Sequence, residues 1–302
     1  MEQVRTVTRE FETGDKAVLH LEARSGSVIV EGRESDRVVV DAVVHVWTDL
    51  STEADDAASV VERNMEQDGH RVIVRAPALR TDEDRGLFAM VGMRSSRIDF
   101  RVRVPQQTAV RVLSRSGAVQ ITHVEGAVQT EAMSGRVTVE DVRGDVAART
   151  RSGQMMVERV AGNVAADARS GKVRIKEISG NVEVEARSGS LEVEGIGGSV
   201  RLSSSAGTVS VSHVAGKLLA RSRAGTFRYR GRVCDDMDVE AHAGSITLAV
   251  DPDHPFFVDA ESHHGSVRSD LPPRRDGGAP SAGGPKVKLR SRAGSIRLTR
   301  LD

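Results

Sequence analysis

Between Arg115 and Phe227 a glycine recurs every nine residues, a spacing that leaves few folds open. One series, Gly117, Gly135, Gly153, Gly171, Gly189, Gly207 and Gly225, has a step of eighteen residues, and a second, Gly126, Gly144, Gly162, Gly180, Gly198 and Gly216, falls midway. A helix would lose about 1 kcal/mol at each such glycine, and the apolar residues follow no helical period. Counting from Gly117 as zero, positions two, four and seven are Val119, Ile121 and Val124. Later units give Val137-Val139-Val142, Met155-Val157-Val160, Val173-Ile175-Ile178, Leu191-Val193-Ile196 and Val209-Val211-Val214 at the same places. The residues between are mostly Gln, Thr, Glu, Arg, Lys or Ser. An apolar period of two built from β-branched residues reads as a strand with one buried face.

The other half of each unit repeats the alternation with slimmer residues, from Val128, Thr130 and Ala132 to Val182, Val184 and Ala186. One bulky wall and one slim wall suit two sheets closing on a narrow core. Hairpins would give each unit different partners and leave so strict a repeat without purpose. Coiling stacks identical positions about 4.8 Å apart, with glycines supplying positive φ at the corners. The expected fold is all-β: a right-handed parallel β-solenoid with about 18 residues per coil. An antiparallel sandwich is the alternative for short strands with regular turns.

The ends depart from the strict repeat. Residues 1–47 are expected to lay down the first coil or coils, since Arg24-Ser25-Gly26-Ser27-Val28-Ile29-Val30 already carries the repeat pattern. Residues 48–110 read as a small α+β cap insertion at the N-terminal side of the solenoid. It holds a helix over 52–67, capped by Thr52 and stopped at Gly69, then strands at 71–75, 98–104 and 109–113. Such a cap covers an otherwise unpaired strand edge. Residues 111–302 continue the solenoid through turns at Gly244, Gly265 and Gly294, with a flexible Pro/Gly/Ser-rich loop at 271–285. The coil Val287 to Leu301 comes last with no cap after it, so its strand is expected to be open to self-association.

The unit Ser-Gly-x-Val-x-Val, with Arg-Ser-Gly at 24–26, 115–117, 151–153, 169–171 and 187–189, resembles the bacterial "putative adhesin" β-solenoid family of unknown function. The likeness runs from about Val18 to Leu301. It implies the solenoid fold and an adhesin-like role, and it implies no catalytic residues. The coil is also similar to the calcium-binding nonapeptide β-rolls, but those need Gly-Gly-x-Gly-x-Asp turns to cage the ion. Here the turns read Arg-Ser-Gly or Val-x-Gly with no Asp in register, so neither calcium nor another metal is expected.

Composition narrows the function classes. Forty-three basic and 43 acidic residues balance to zero formal charge, which argues against general attraction to nucleic acid or an anionic membrane. An aromatic content of 3% removes the platforms on which single-stranded bases stack. Cys234 is the single cysteine, so no intrachain disulfide is available. No apolar run reaches the roughly 18 residues of a membrane span and the first residues lack a signal-peptide core, so a cytoplasmic protein without stable membrane insertion is the expectation.

Two groups stand out as candidate sites. Arg115, Arg151, Arg169, Arg187 and Arg223 each lie two positions before a main glycine and should form a column. With Glu131, Asp167 and Glu185 in reach this reads as a salt-bridge ladder, about 0–1 kcal/mol per pair, or as a track for an acidic glycan or other polyanion. The apolar residues Leu87, Phe88, Met90, Val91 and Met93 read as a partner contact, or as a segment folded back over the core. His242, His254 and the His263-His264 pair are too irregularly spaced for a metal site. Asp235, Asp236 and Asp238 lack a second carboxylate group in neighbouring coils. Cys234 reads as a core or corner filler. With no phosphate loop and no nucleophile elbow, no catalytic residue and no cofactor is expected. The expected function is a non-enzymatic adhesin-like or scaffold protein acting through flat solenoid surfaces and terminal strand edges, self-associating or binding a protein partner. The alternatives are a carbohydrate-binding or carbohydrate-active β-helix protein and an accessory protein of a bacterial envelope-stress system.

Overall fold

The computed structural model describes residues 1–79, 96–251, 254, 256–271 and 284–301. The chain divides into two compact units, Met1–Thr150 and Arg151–Asp302. Both are parallel β-solenoid, as the eighteen-residue period predicts.

In the first unit β1 (Glu2–Glu12) is followed by β2 (Val18–Ala23) and β3 (Val28–Arg33), which together make one coil, and then by β4 (Arg37–Trp47). Helix α1 (Ser51–Arg63), the short strands β5 (Met65–Asp68) and β6 (Arg71–Arg75), and β7 (Arg97–Pro105) come next. Regular coiling resumes with β8 (Ala109–Ser114), β9 (Ala118–Val124) and β10 (Val128–Val142). The β2–β3 coil is flanked on both sides. β6 and β7 pair parallel with it on one side, in the register Leu19↔Val72 and Val30↔Val102. β8 and β9 pair parallel on the other, with Leu19↔Val110 and Val28↔Val119, and β10 continues with Val137 on Val119. β4 runs antiparallel to both β7 and β1, a ribbon that the eighteen-residue period does not encode.

The helix is shorter than its sequence pattern suggests. It ends at Arg63 because Met65–Asp68 pairs antiparallel with Arg71–Arg75 and buries Met65; Gly69, at φ 58°, turns this hairpin rather than stopping the helix. Thr52 does not cap it either. Leu50 occupies the N-cap with no side-chain cap, while Thr48 accepts from the Leu50 amide at 3.1 Å and donates to Glu53 at 2.6 Å. No described helix is long and apolar enough to cross a membrane.

β11 (Val146–Val160) carries the chain into the second unit. There β12 (Val164–Ile178), β13 (Val182–Ile196), β14 (Val200–Val214), β15 (Leu218–Gly231) and β16 (Met237–Val250) stack in parallel. Each strand bends at its main glycine and so contributes to both walls of a coil. Val173, Leu191, Val209, Phe227 and Ile246 form one file through the core, each paired with the next. All five are buried.

The two glycine series have different causes. The main series has positive φ, as expected of corners, for example 120° at Gly189. Gly126, Gly144, Gly180, Gly198 and Gly216 do not; they are glycine because the neighbouring coil leaves no room. A Cβ on Gly198 would lie 2.5 Å from the carbonyl oxygen of Gly180. A second positive-φ corner falls six residues after each main glycine, mostly on residues with side chains: His123, Asp141, Arg159, Glu177 and His213 lie between 52° and 58°.

Past β16, chain order and spatial order part. β17 (Phe257–His264) and β18 (Val267–Ser269) precede β19 (Lys286–Ala293) and β20 (Ile296–Arg300) in the chain. Yet β19 and β20 pair directly with β16, through Val239↔Leu289 and Ile246↔Ile296, and β17 and β18 pair onto their far side. The coil that is last in sequence is therefore enclosed. Its Val287, Leu289 and Ile296 are 0% exposed, whereas Val258 and Val267 of the preceding coil remain 38% and 45% exposed. The expectation that the strand of Val287 to Leu301 is the free edge is corrected accordingly. Most of the 271–285 loop lies outside the described residues.

Candidate functional site

The Arg-Ser-Gly signature serves the stack. Its serine reaches to the preceding coil: the hydroxyls of Ser116, Ser170 and Ser188 donate to the carbonyls of Arg24, Arg151 and Arg169, each at 3.2 Å. Ser134 does the same to Arg115. Its glycine allows the close approach of coils, since a Cβ on Gly171 would overlap the carbonyl oxygen of Gly153. Its arginine is exposed, although Arg24 Nε also donates to the Ala76 carbonyl at 3.3 Å.

Arg115 in the first unit, and Arg151, Arg169, Arg187 and Arg223 in the second, are all exposed. Among the described residues none of their guanidinium groups makes an ion pair, so the expected contacts from Arg151, Arg169 and Arg187 to Glu131, Asp167 and Glu185 do not form. Pairs instead join equal positions on adjacent coils: Arg143–Glu125 at 2.5 Å, Arg149–Glu131 at 3.8 Å, Arg174–Glu192 at 2.9 Å, Lys176–Glu194 at 2.5 Å. Distance favours such pairs, although pairs two residues apart along a strand form elsewhere, as in Arg33–Glu31 at 3.0 Å. Equal positions are about 4.8 Å apart across the ladder, while residues two apart along a strand are separated by about 6.6 Å. The Lys176–Glu194 hydrogen bond raises the lysine's pKa and lowers the glutamate's.

The arginine column is also interrupted. Arg169 and Arg187 stand on adjacent coils, but the next coil has Ser205, and Arg223 lies beyond it. Where the preceding coil has Glu185-Ala186-Arg187, β14 has Ser203-Ser204-Ser205, and the missing bulk leaves an open cleft of about 650 Å³. Its floor and rims come from β14, β15, β16, β19 and β17, in that spatial order. One rim carries Arg221, Glu240, Arg290 and Glu261; Arg221 lies 3.5 Å from Glu240, and Arg290 lies 3.9 Å from Asp259. The other carries Arg223, His242, Arg292 and His263, with Arg292 Nη1 3.4 Å from His242 Nε2. His263 also lies 3.7 Å from Glu261. The buried hydroxyls of Ser222 and Ser291, which also line the cleft, have no protein hydrogen-bond partner. A smaller hollow of about 400 Å³ over β12 to β15 contains Glu192 and Glu194, which are already paired with Arg174 and Lys176.

The remaining candidates have structural roles. Asp236 accepts the Lys286 amide at 2.9 Å and so fixes the start of β19. His254 contacts Asp251 at 2.9 Å. Among the described residues no three His, Cys, Asp or Glu side chains converge on a point. Cys234 is exposed in the β15–β16 connection and fills no core; Val233 and Met237 take that place. Beside it Tyr229 is buried, and its hydroxyl donates to the Arg232 carbonyl at 2.6 Å. Burial, then the nearby Cys234, pushes its pKa up to about 12. Leu87, Phe88, Met90, Val91 and Met93 lie outside the described residues. Sequence reasoning reached Arg223 but missed Arg221, Arg290 and Arg292 as cleft residues. The Ser203-Ser204-Ser205 run was the available signal; the approach of Arg292 to His242, fifty positions away, was not readable from it.

Stacked eighteen-residue coils with glycine-packed corners, polar ladders and a cationic cleft define a parallel β-solenoid of the repeat-protein class. The Toastrack DUF4097 family model matches residues 48–300, and the chain belongs to that family. No curated protein matches it. Among solved structures it is similar to a "putative cell adhesion protein" from Clostridium sporogenes, at 11% identity over 99% of this chain and 100% of that one, TM-score 0.28. A "putative lipid binding protein" from Parabacteroides distasonis matches at 10% identity over 97% and 96%, TM-score 0.30. A "putative adhesin" from Bacteroides fragilis matches at 11% identity over 98% and 97%, TM-score 0.28.

Proposed function

We propose that this protein is a non-enzymatic, adhesin-like scaffold whose terminal coil joins a second copy by strand addition. The observation that carries this reading is the β17–β18 edge. Among the described residues these strands pair on one side only, with β19 and β20, and none of their residues is buried. A free edge presents a row of unpaired amides and carbonyls and is a template for another strand.

The β17 sequence favours its own copy in antiparallel orientation. Pairing centred on Ser262, so that opposed residues share a sheet face, sets Glu261 opposite His263 and Ala260 opposite His264. No carboxylate then faces a carboxylate, whereas parallel in-register pairing would stack Asp259 on Asp259 and Glu261 on Glu261. Antiparallel pairing of one strand with its copy is also what a two-fold dimer requires.

The test is sedimentation equilibrium over a wide concentration range. The mass should rise from one chain to two, and Val258→Lys with Val267→Lys, which charges the edge, should hold the protein at one chain. A wild-type mass of one chain at every concentration refutes the reading.

A further inference from the structure

The cleft over β14, β15, β16, β19 and β17 has a charge pattern that strand addition does not use. Its two lining carboxylates, Glu240 and Glu261, stand on one rim, where Arg221 and Arg290 offset them. The other rim presents Arg223, His242, Arg292 and His263 on four successive coils and no carboxylate of its own. Repulsion along such a row is a cost that the stack itself does not need, since the Arg-Ser-Gly packing works through the serine and glycine. Arg223 makes no ion pair among the described residues, and the Arg292 guanidinium meets His242 rather than a carboxylate.

We infer that this rim binds a linear oligoanion, and that the ligand class is an acidic oligosaccharide carrying carboxylates along its length. Coils repeat about every 4.8 Å, so Arg223 and Arg292, two steps apart, are separated by about 10 Å. One small anion does not bridge that distance; a chain with charges at intervals does. Each guanidinium can hold a carboxylate through two parallel N–H donors. Ser203 and Ser205 line the same cleft and offer hydroxyls to sugar hydroxyls. A nucleic acid fits less well. No Phe, Tyr or Trp side chain lines the cleft for base stacking, and the zero net charge supplies no general attraction. Glu240 and Glu261 keep the ligand off their own rim. Its two tested arginines, Arg223 and Arg292, stand on β15 and β19 rather than on the β17 edge strand, so their contribution does not depend on dimer formation.

The experiment is calorimetric titration of the full chain with short oligogalacturonate, with a neutral galactan oligomer, single-stranded DNA and inorganic phosphate as parallel probes. Saturable binding of oligogalacturonate, weakened by added salt, is expected, with the neutral oligomer and phosphate giving none. Arg223→Glu with Arg292→Glu should lower the affinity at least about tenfold, while Arg151→Glu with Arg187→Glu should leave it within about twofold, since these exposed residues lie outside the cleft. The edge variant carrying Val258→Lys and Val267→Lys should bind as wild type, which separates failure of this inference from failure of the dimer. Absence of saturable binding, binding unchanged in the Arg223/Arg292 variant, or equal binding of DNA overturns the inference.

Discussion

Gly189→Ala should be among the most destabilising single-methyl additions in this protein, and Gly195→Ala, six residues away, should be mild. Both glycines have positive φ, 120° and 70°, so a difference between them isolates the stacking clash. At Gly195 the nearest atom to a new Cβ is the Glu177 nitrogen at 3.6 Å. Equivalent corners are already occupied by His123, Asp141, Arg159, Glu177 and His213. The left-handed penalty of about 1–2 kcal/mol is partly offset by about 0.4–1 kcal/mol from the stiffer unfolded chain, leaving about 1 kcal/mol. At Gly189 the backbone lies well beyond the left-handed helical well, where strain is about 1–3 kcal/mol. The new Cβ would also overlap the Gly171 carbonyl oxygen, and separating two packed coils adds about 1–3 kcal/mol. Less the same unfolded-chain offset, the sum is about 1–5 kcal/mol, against a total stability of roughly 5–15 kcal/mol for a domain. Urea denaturation followed by circular dichroism reads the difference as a shift in midpoint at constant slope. Equal midpoints for the two variants would refute the account of these glycines as stacking residues.

Other outcomes follow from single side chains. Tyr229 has a pKa raised to about 12 by burial and then by Cys234. Its folded value exceeds the unfolded one, so its contribution is complete below pH 10 and is lost as pH rises toward 12, by about 3 kcal/mol. Tyr229→Phe should remove that alkaline slope in melts across this range. Burial of Asp99 pushes its pKa up, but hydrogen bonds from the Ser27 amide at 2.6 Å and hydroxyl at 2.8 Å, with the charges of Arg97 and His45, outweigh this and hold it low. That stabilisation is present above the ordinary aspartate pKa and is lost as pH falls through the lowered one. Asp99→Asn should therefore cost about 1.5–3 kcal/mol at neutral pH and flatten the acid limb of the stability profile. Phe227, 1% exposed in the central file, should cost about 3–5 kcal/mol when changed to Ala, measured by the same denaturation.

The periodic part of the molecule was open to sequence reading because every coil solves the same local problem. Val173, Leu191 and Val209 must point inward and Gly171, Gly189 and Gly207 must let the corners stack, so coil length, inward positions and corner residues are all written in a period of eighteen. That sameness also hides which coil lies beside which, because any coil offers its neighbour nearly the same inward pattern. Tertiary structure made that choice. Between β16 and β18, Leu298 fills the wall under Leu248, while Ser269, whose hydroxyl would be costly inside the core, is left on the outermost coil. Placing β19 and β20 there shifts the open edge to β17 and β18 and brings Arg292 to His242. The amino-acid sequence thus determined the coil and its two walls, because these depend on alternation and close packing between like positions. The order of the terminal coils, and with it the free edge and the cationic cleft, was decided only by which side chains could be enclosed on both sides.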